Sequence, residues 1–484
     1  VTRQRFHSTL VACCAASILA WGLASPGFGY PLDGWADTGI DRLEAYRLAQ
    51  TGKIRARLLP PGGRLPGSTI ELRLREYPDF AIPPPDPEFS AEVGALLLDD
   101  ADAYGLVILD LTDPLRPRLA VHNPDMAQNP ASVGKLMVGL GWMQTLADVY
   151  PDNPDARDAL MRSTQVSADG FIRTDSHDVP IWHPGEPRVD YRPLRIGDQG
   201  NLWTWLDWML SSSSNAAAST IIAQTILLKH FGAAYPVSPE AAARFFRDTP
   251  QSTLSGLLRE TLQRPITRNG LDLDKLRQGS FFTREGKNRI PGTTSTSTPM
   301  ELLKFMVQME QGQLVDPYSS LALKRLVYLS ERRIRYASTL ALRRAAVYFK
   351  SGSWFTCKPE KGFQCDEYKG NVRNFLNSVV AVETQPPARK LHYIVVLLSN
   401  VLRKDSAEIH RNLATEIHEM IDAYHAGEGE ASSSNSDSDW GVDASAEANA
   451  GPIDEMDSDE ETESDQAAAE EEVDALELTS EGAD

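Results

Sequence analysis

Four cysteines in 484 residues are too few for a disulfide scaffold. Two of them, Cys13 and Cys14, lie in an apolar N-terminal run. Only Cys357 and Cys365 remain for the body of the chain. With no second cysteine pair, a zinc ribbon is excluded. No His-Glu-x-x-His pattern occurs among the nine histidines. His177 and His183 lie in a Pro-rich stretch and His410, His418 and His425 near the C-terminal end, so no metal is expected. No cofactor motif and no internal repeat is found. No apolar run after the first 24 residues is long enough to span a membrane. Basic residues are absent from 426–484, which carries 21 Asp and Glu. That leaves 46 acidic against 48 basic residues elsewhere, so the body is near neutral although the whole chain is −19. A clustered basic face is missing, and nucleic-acid binding is not expected. At 42% hydrophobic and 24% charged, the chain has enough apolar material for a large core.

Four segments are expected. Residues 1–24 read as a signal peptide. Arg3 and Arg5 precede the apolar run 9–24, and Gly22-Leu23-Ala24 offers small residues for cleavage. An uncleaved anchor or a lipid on Cys13 is the alternative. Residues 25–90 form a Pro-rich N-terminal segment, with a short helix over 41–50 and a strand-like alternation over 69–75. Pro83-Pro84-Pro85 and Pro87 mark a stiff linker. Residues 91–425 hold the main domain. Residues 426–484 are an acidic tail too poor in apolar area to order. A secreted or periplasmic monomer is the expectation. In such a compartment Cys357 and Cys365 pair by default, worth about 2.5 kcal/mol for so short a loop. Two free thiols or half of a metal site are the alternatives.

Within the main domain, strands are predicted at 104–111, 118–122, 345–355, 374–383 and 392–400. Helices are predicted from Asn129, around 202–228, at 239–247, 299–312 and 319–330, and over 405–425. Asn129 is read as a helix cap with Pro130 in the first turn. Residues 151–200 read as loops. Strands, then helices, then strands and a last helix suggest an α+β fold, an antiparallel sheet flanked by helices.

Three short motifs carry chemistry. In Ser132-Val133-Gly134-Lys135 the spacing puts Lys135 on the face of Ser132. A neutral lysine there can take the serine proton. Ser213-Ser214-Asn215 interrupts two apolar helical stretches and offers a proton-relaying hydroxyl and an amide. Lys350-Ser351-Gly352 lies on a strand, a cation and hydroxyl for a substrate carboxylate. The N–H groups of Ser132 and Ser353 can form an oxyanion hole. Alone, each has an ordinary reading: a helix N-terminal serine, a flexible serine run, an edge-strand lysine.

Together the motifs resemble the active-site serine family that joins class A β-lactamases to penicillin-binding D,D-peptidases. The resemblance covers roughly 95–425. Residues 292–314 (GTTSTSTPMELLKFMVQMEQGQL) add that family's Thr-Thr-x-Pro helix start, 51 residues before Lys350. It implies a five-stranded antiparallel sheet flanked by helices, plus an all-helical subdomain, with the site between them. It also implies Ser132 as nucleophile, Lys135 as base, Ser213 as proton shuttle, Asn215 as substrate ligand and Lys350 as carboxylate anchor. The chain departs from the pattern in places. Ser214 stands where class A enzymes have Asp, and Ser351 where Thr is commoner. Extra residues separate Lys135 from Ser213 and Asn215 from Thr293. The nearest match to the deacylating glutamate is Glu285, with Asn288 one residue short of the usual spacing; a solvated loop glutamate is the alternative. Arg373 is a candidate second carboxylate ligand, or else a strand-edge charge. The implied activity is amide cleavage through an acyl-serine, with a β-lactam as substrate. The alternatives are a D,D-peptidase acting on peptidoglycan stem peptides, or a catalytically silent wall-binding or sensor domain.

Overall fold

The computed structural model describes residues 31–433. The expected signal peptide lies outside them, as does the acidic tail from residue 434. Five strands form one antiparallel sheet: β1 Tyr104–Asp110, β2 Arg118–His122, β3 Ala346–Thr356, β4 Arg373–Glu383 and β5 His392–Asn400. Their spatial order is β2-β1-β5-β4-β3, so the first hairpin and the last three strands meet at the β1–β5 seam. Val107 pairs with Val396, and Val379 with Lys350.

The central strands are apolar on both faces, because both faces are covered. Val107, Leu109, Val379, Ile394 and Val396 belong to one core, on the side of the main helical layer. Leu106, Ile108, Val380, Val395 and Leu397 belong to the other. That second core is closed by helix α2 (Pro87–Ala95) through Phe89 and Val93, and by the C-terminal helix through Leu413, Ile417 and Ile421.

The helical layer contains α3 (Lys135–Val149), α4 (Leu202–Leu210), α5 (Asn215–Phe231), α6 (Pro299–Gln311) and α7 (Pro317–Tyr328). Helix α5 is apolar nearly all round and is buried over most of its length, as a central helix must be. The C-terminal helix α8 (Ser406–Ser433) runs past residue 425, into the segment expected to be disordered.

Several expectations are corrected. The Pro-rich segment before residue 90 packs into the same core as the main domain. Helix α1 (Asp41–Gln50) buries Leu43 and Tyr46, and Leu59, Ile70 and Leu74 follow. Arg42, on α1, makes a bidentate pair with Asp207 on α4, both distances 2.5 Å and both groups buried. Residues 69–75 are turns, not a strand. The alternation buries Ile70 and Leu74, while their backbone bonds to loop and helix ends instead of a strand edge. Pro87 opens α2 under the cap of Asp86, so the proline run ends in a helix. Residues 151–200 hold a helix (Pro154–Ser163) and two small hairpin-like pairs, Gln165–Ser167 with Gln199–Asn201 and Asp178–Ile181 with Asp190–Pro193. A helix at Gln251–Leu262 had no counterpart in the sequence reading.

Candidate active site

Ser132 does not sit in an α-helical turn capped by Asn129. Residues Ala131–Gly134 form a 3₁₀ turn, and α3 begins at Lys135. The Asn129 carboxamide accepts the Ala131 N–H at 2.9 Å, but the residue flanking the turn is Pro130. Ala131 takes a left-handed backbone (φ 46°), an unfavourable conformation that the packed surroundings must hold. In a 3₁₀ turn, residues three apart eclipse. The Lys135 ammonium accordingly donates to Ser132 Oγ at 2.6 Å. Lys135 is fully buried and Ser132 nearly so. Lys135 Nζ also donates to Asn215 Oδ1 at 2.7 Å and lies 4.6 Å from the Phe282 ring centre.

The second motif ties the helical layer to this turn. Ser213 also has a left-handed backbone (φ 64°). Its Oγ accepts from Lys350 Nζ at 2.8 Å. Ser214 caps α5, accepting the Ala217 N–H at 3.1 Å. Its hydroxyl donates to Asp175 Oδ2 at 2.7 Å, and the Ala216 N–H donates to the same oxygen at 2.8 Å. Where the resemblance expects an aspartate in this motif, the chain has a serine that hands the interaction on to Asp175. Asp175 Oδ1 in turn meets His177 Nδ1 at 2.6 Å. Burial alone would raise the Asp175 carboxyl. The His177 charge and hydrogen bond, with those from Ala216 and Ser214, outweigh it and hold the carboxyl below the usual range.

The third motif lies on edge strand β3. Lys350 is buried, and opposite Ser351 stands Ser378 of β4. A Cβ on Gly352 would lie 2.4 Å from the Ser132 nitrogen and 2.7 Å from the Pro130 oxygen. Glycine is therefore required for β3 to press against the nucleophile turn. This close approach brings the Ser132 and Ser353 backbones together. Asn377 of β4 locks the junction. It accepts from Gln128 Nε2 at 2.7 Å and donates to the Asn129 oxygen at 3.1 Å.

One cavity is lined by Ser132, His177, Ser213, Arg332, Arg335 and Lys350, among others. Hydrogen bonds join Ser132, Lys135 and Asn215 in one set and Ser213 with Lys350 in another, and the Ser213-Ser214-Asn215 segment connects the two. Two other candidates are not brought here. Glu285 sits in a short helix (Arg284–Arg289), where its carboxylate accepts from Arg289 at 2.6 Å. Phe282 packs against Lys135. Gln278 crowds Gly134, the residue before Lys135. Arg373 lies opposite Thr356, six residues along the strand from the partner of Lys350, about 20 Å away. It stacks on Trp354 at 3.6 Å instead. Cys357 and Cys365 are joined in a disulfide. They lie in the β3–β4 connection, and neither lines the cavity.

The sequence reading missed two residues. Arg335, on a 3₁₀ turn with φ 53°, donates to Ser351 Oγ at 2.9 Å and to Ser353 Oγ at 3.1 Å. It also donates to the Tyr368 hydroxyl at 2.6 Å. It places a guanidinium where Arg373 was expected to act. The only sequence signal was its place shortly before the Lys350 strand. The other is His177, read as a loop histidine. Its signal was the nearby Asp175, which could be valued only once Ser214 was seen to need a carboxylate.

No protein-family model matches the chain, and no curated protein matches it. Solved structures similar to it include that of PBP-A (13% identity, TM-score 0.44), covering 71% of this chain and all of that one. A β-lactamase from Chitinophaga pinensis is 14% identical with TM-score 0.42, over 70% of this chain and 99% of that one. A β-lactamase from Sphaerobacter thermophilus is 14% identical with TM-score 0.42, over 69% and 98%.

Proposed function

We propose that this chain is a serine hydrolase that opens an amide through an acyl-serine intermediate. The observation that carries this reading is the double lysine–serine contact in one cleft. Lys135 Nζ stands 2.6 Å from Ser132 Oγ, and Lys350 Nζ stands 2.8 Å from Ser213 Oγ. In its neutral form Lys135 would take the Ser132 proton as Oγ bonds to the amide carbon. The carbonyl oxygen, now negative, would be received by the N–H groups of Ser132 and Ser353. As the C–N bond breaks, the proton would reach the leaving nitrogen through Ser213. Asn215 would hold a substrate amide. Lys350, Ser351 and Arg335 would hold a substrate carboxylate, with Arg335 presenting its rigid fork.

A β-lactam and a peptidoglycan stem peptide both satisfy these requirements. The placement of Glu285 favours the peptide. Paired with Arg289 and not among the residues lining the cavity, Glu285 is badly placed to drive fast hydrolysis of a β-lactam acyl-enzyme. We therefore assign D,D-peptidase action in an extracytoplasmic compartment, by a monomer, with β-lactams as slowly released acylating agents. Turnover of a chromogenic cephalosporin tests this assignment. A burst of about one equivalent per chain with a slow steady state is expected. Sustained fast turnover would return the assignment to a β-lactamase. No burst would point to a silent binding domain.

A further inference from the structure

Release of the acyl group needs a base for water, and the Glu285 carboxylate is engaged elsewhere. We propose that His177, oriented by Asp175, is that base; the inference rests on the acyl-serine reading above. His177 borders the same cavity as Ser132, Ser213 and Lys350, and is 8% exposed. Asp175 Oδ1 meets Nδ1 at 2.6 Å, fixing the ring and assigning the proton-accepting role to Nε2. Asp175 is itself held by Ser214 and the Ala216 N–H, at the start of the helix that carries Asn215. The pair is therefore tied to the motif by two hydrogen bonds. The other charged groups lining the cavity are Lys350, Arg332 and Arg335.

In the step, His177 takes a proton from water as the water oxygen bonds to the acyl carbon. The tetrahedral species collapses, and the bond from that carbon to Ser132 Oγ breaks. The proton taken by His177 returns to Oγ, by way of Lys135. The product is a carboxylic acid, which ionises to solvent. Free serine and neutral imidazole are restored, so no further reactant is needed.

The test uses the full chain, a chromogenic cephalosporin and a thioester ending in a D-amino acid carboxylate. In His177→Gln, the acylation burst should remain within about threefold. Breakdown of the Ser132 adduct, followed by intact mass, should slow by roughly a hundredfold. The wild-type breakdown rate should rise with pH through the histidine range, and the variant should lose that limb. Added imidazole should restore breakdown in His177→Ala. A purely structural role would instead lower burst and breakdown together, keep the pH profile and resist rescue; that result overturns the inference. So does an unchanged breakdown rate in His177→Gln, or a wild-type adduct that never breaks down. Absence of any wild-type adduct would sink the acyl-serine reading itself, a separate outcome.

Discussion

At the scale of single residues, the site depends on contacts too close for any substitution. Gly352 is the sharpest case, since a methyl there would meet the Ser132 nitrogen at 2.4 Å. Gly352→Ala must push β3 away from the nucleophile turn and pull apart the two N–H groups of the proposed oxyanion hole. The burst rate with a chromogenic cephalosporin should fall at least a hundredfold, the scale of losing one such donor. The stability cost should be about 1–3 kcal/mol, read from a urea midpoint. A near-normal burst in Gly352→Ala would count against that oxyanion hole. Ser132, Lys135, Ser213, Asn215 and Lys350 were legible in the sequence because each belongs to a short motif of recognisable spacing. Arg335 and His177 were not. They come from irregular segments, with Arg335 at positive φ, where no periodicity marks which way a side chain turns. Glu285 misled for the opposite reason. A two-residue spacing match survives in sequence while the side chain is captured by Arg289, one turn on.

At the scale of elements, α8 braces β4 and β5. His410, fully buried on α8, bridges Ser378 Oγ of β4 at 3.0 Å and Ser399 Oγ of β5 at 2.8 Å. Ser378 faces Ser351 across the strand pair, so this bridge backs the strand that carries Lys350. Burial, and then the charge of Arg335, push the imidazole down to about 3. The unfolded chain takes up the proton near 6.5, while the folded chain does not. This contribution is therefore complete above about pH 6.5 and is lost as pH falls toward 3, at about 1.4 kcal/mol per pH unit. His392 and His418 are lowered by burial too and add in the same direction. Urea midpoints at pH 7 and pH 5 should show a loss for the wild type that is smaller in His410→Gln. Equal losses would show that His410 is not the group responsible. The strands and most helices could be read from apolar runs and caps. The 3₁₀ start at Ser132 could not, because it follows from the fit of Gly352 against that turn and not from local propensity.

At the scale of the whole molecule, the segment before residue 90 is part of the fold. Arg42 and Asp207 lie 165 positions apart and form one buried bidentate pair. Lys324, also fully buried, donates to Glu310 Oε2 at 2.8 Å, Glu383 Oε1 at 2.7 Å and the Glu71 carbonyl at 2.6 Å. This ammonium joins α7, α6, β4 and the N-terminal segment. It sits among Glu310, Glu383 and His392, a trio whose ligand atoms lie within 4.8 Å of one another, and supplies positive charge there. Such long-range pairs leave no mark in composition, so the segment read as a linker. Asp207→Asn leaves a buried guanidinium without its carboxylate, and should cost about 3–5 kcal/mol in a urea titration. A cost below about 1 kcal/mol would mean that the segment is only loosely docked. Truncation after residue 433 should leave the burst unchanged, since every residue assigned to the site precedes it.

The convergence of Ser132, Lys135, Ser213, Asn215 and Lys350 has a direct chemical readout. The full chain is exposed to benzylpenicillin, digested, and the modified peptide sequenced by tandem mass spectrometry. The predicted result is one penicilloyl group, carried on Ser132 and absent from Ser132→Ala. An unmodified wild-type chain, or a label that persists in Ser132→Ala, would contradict the account.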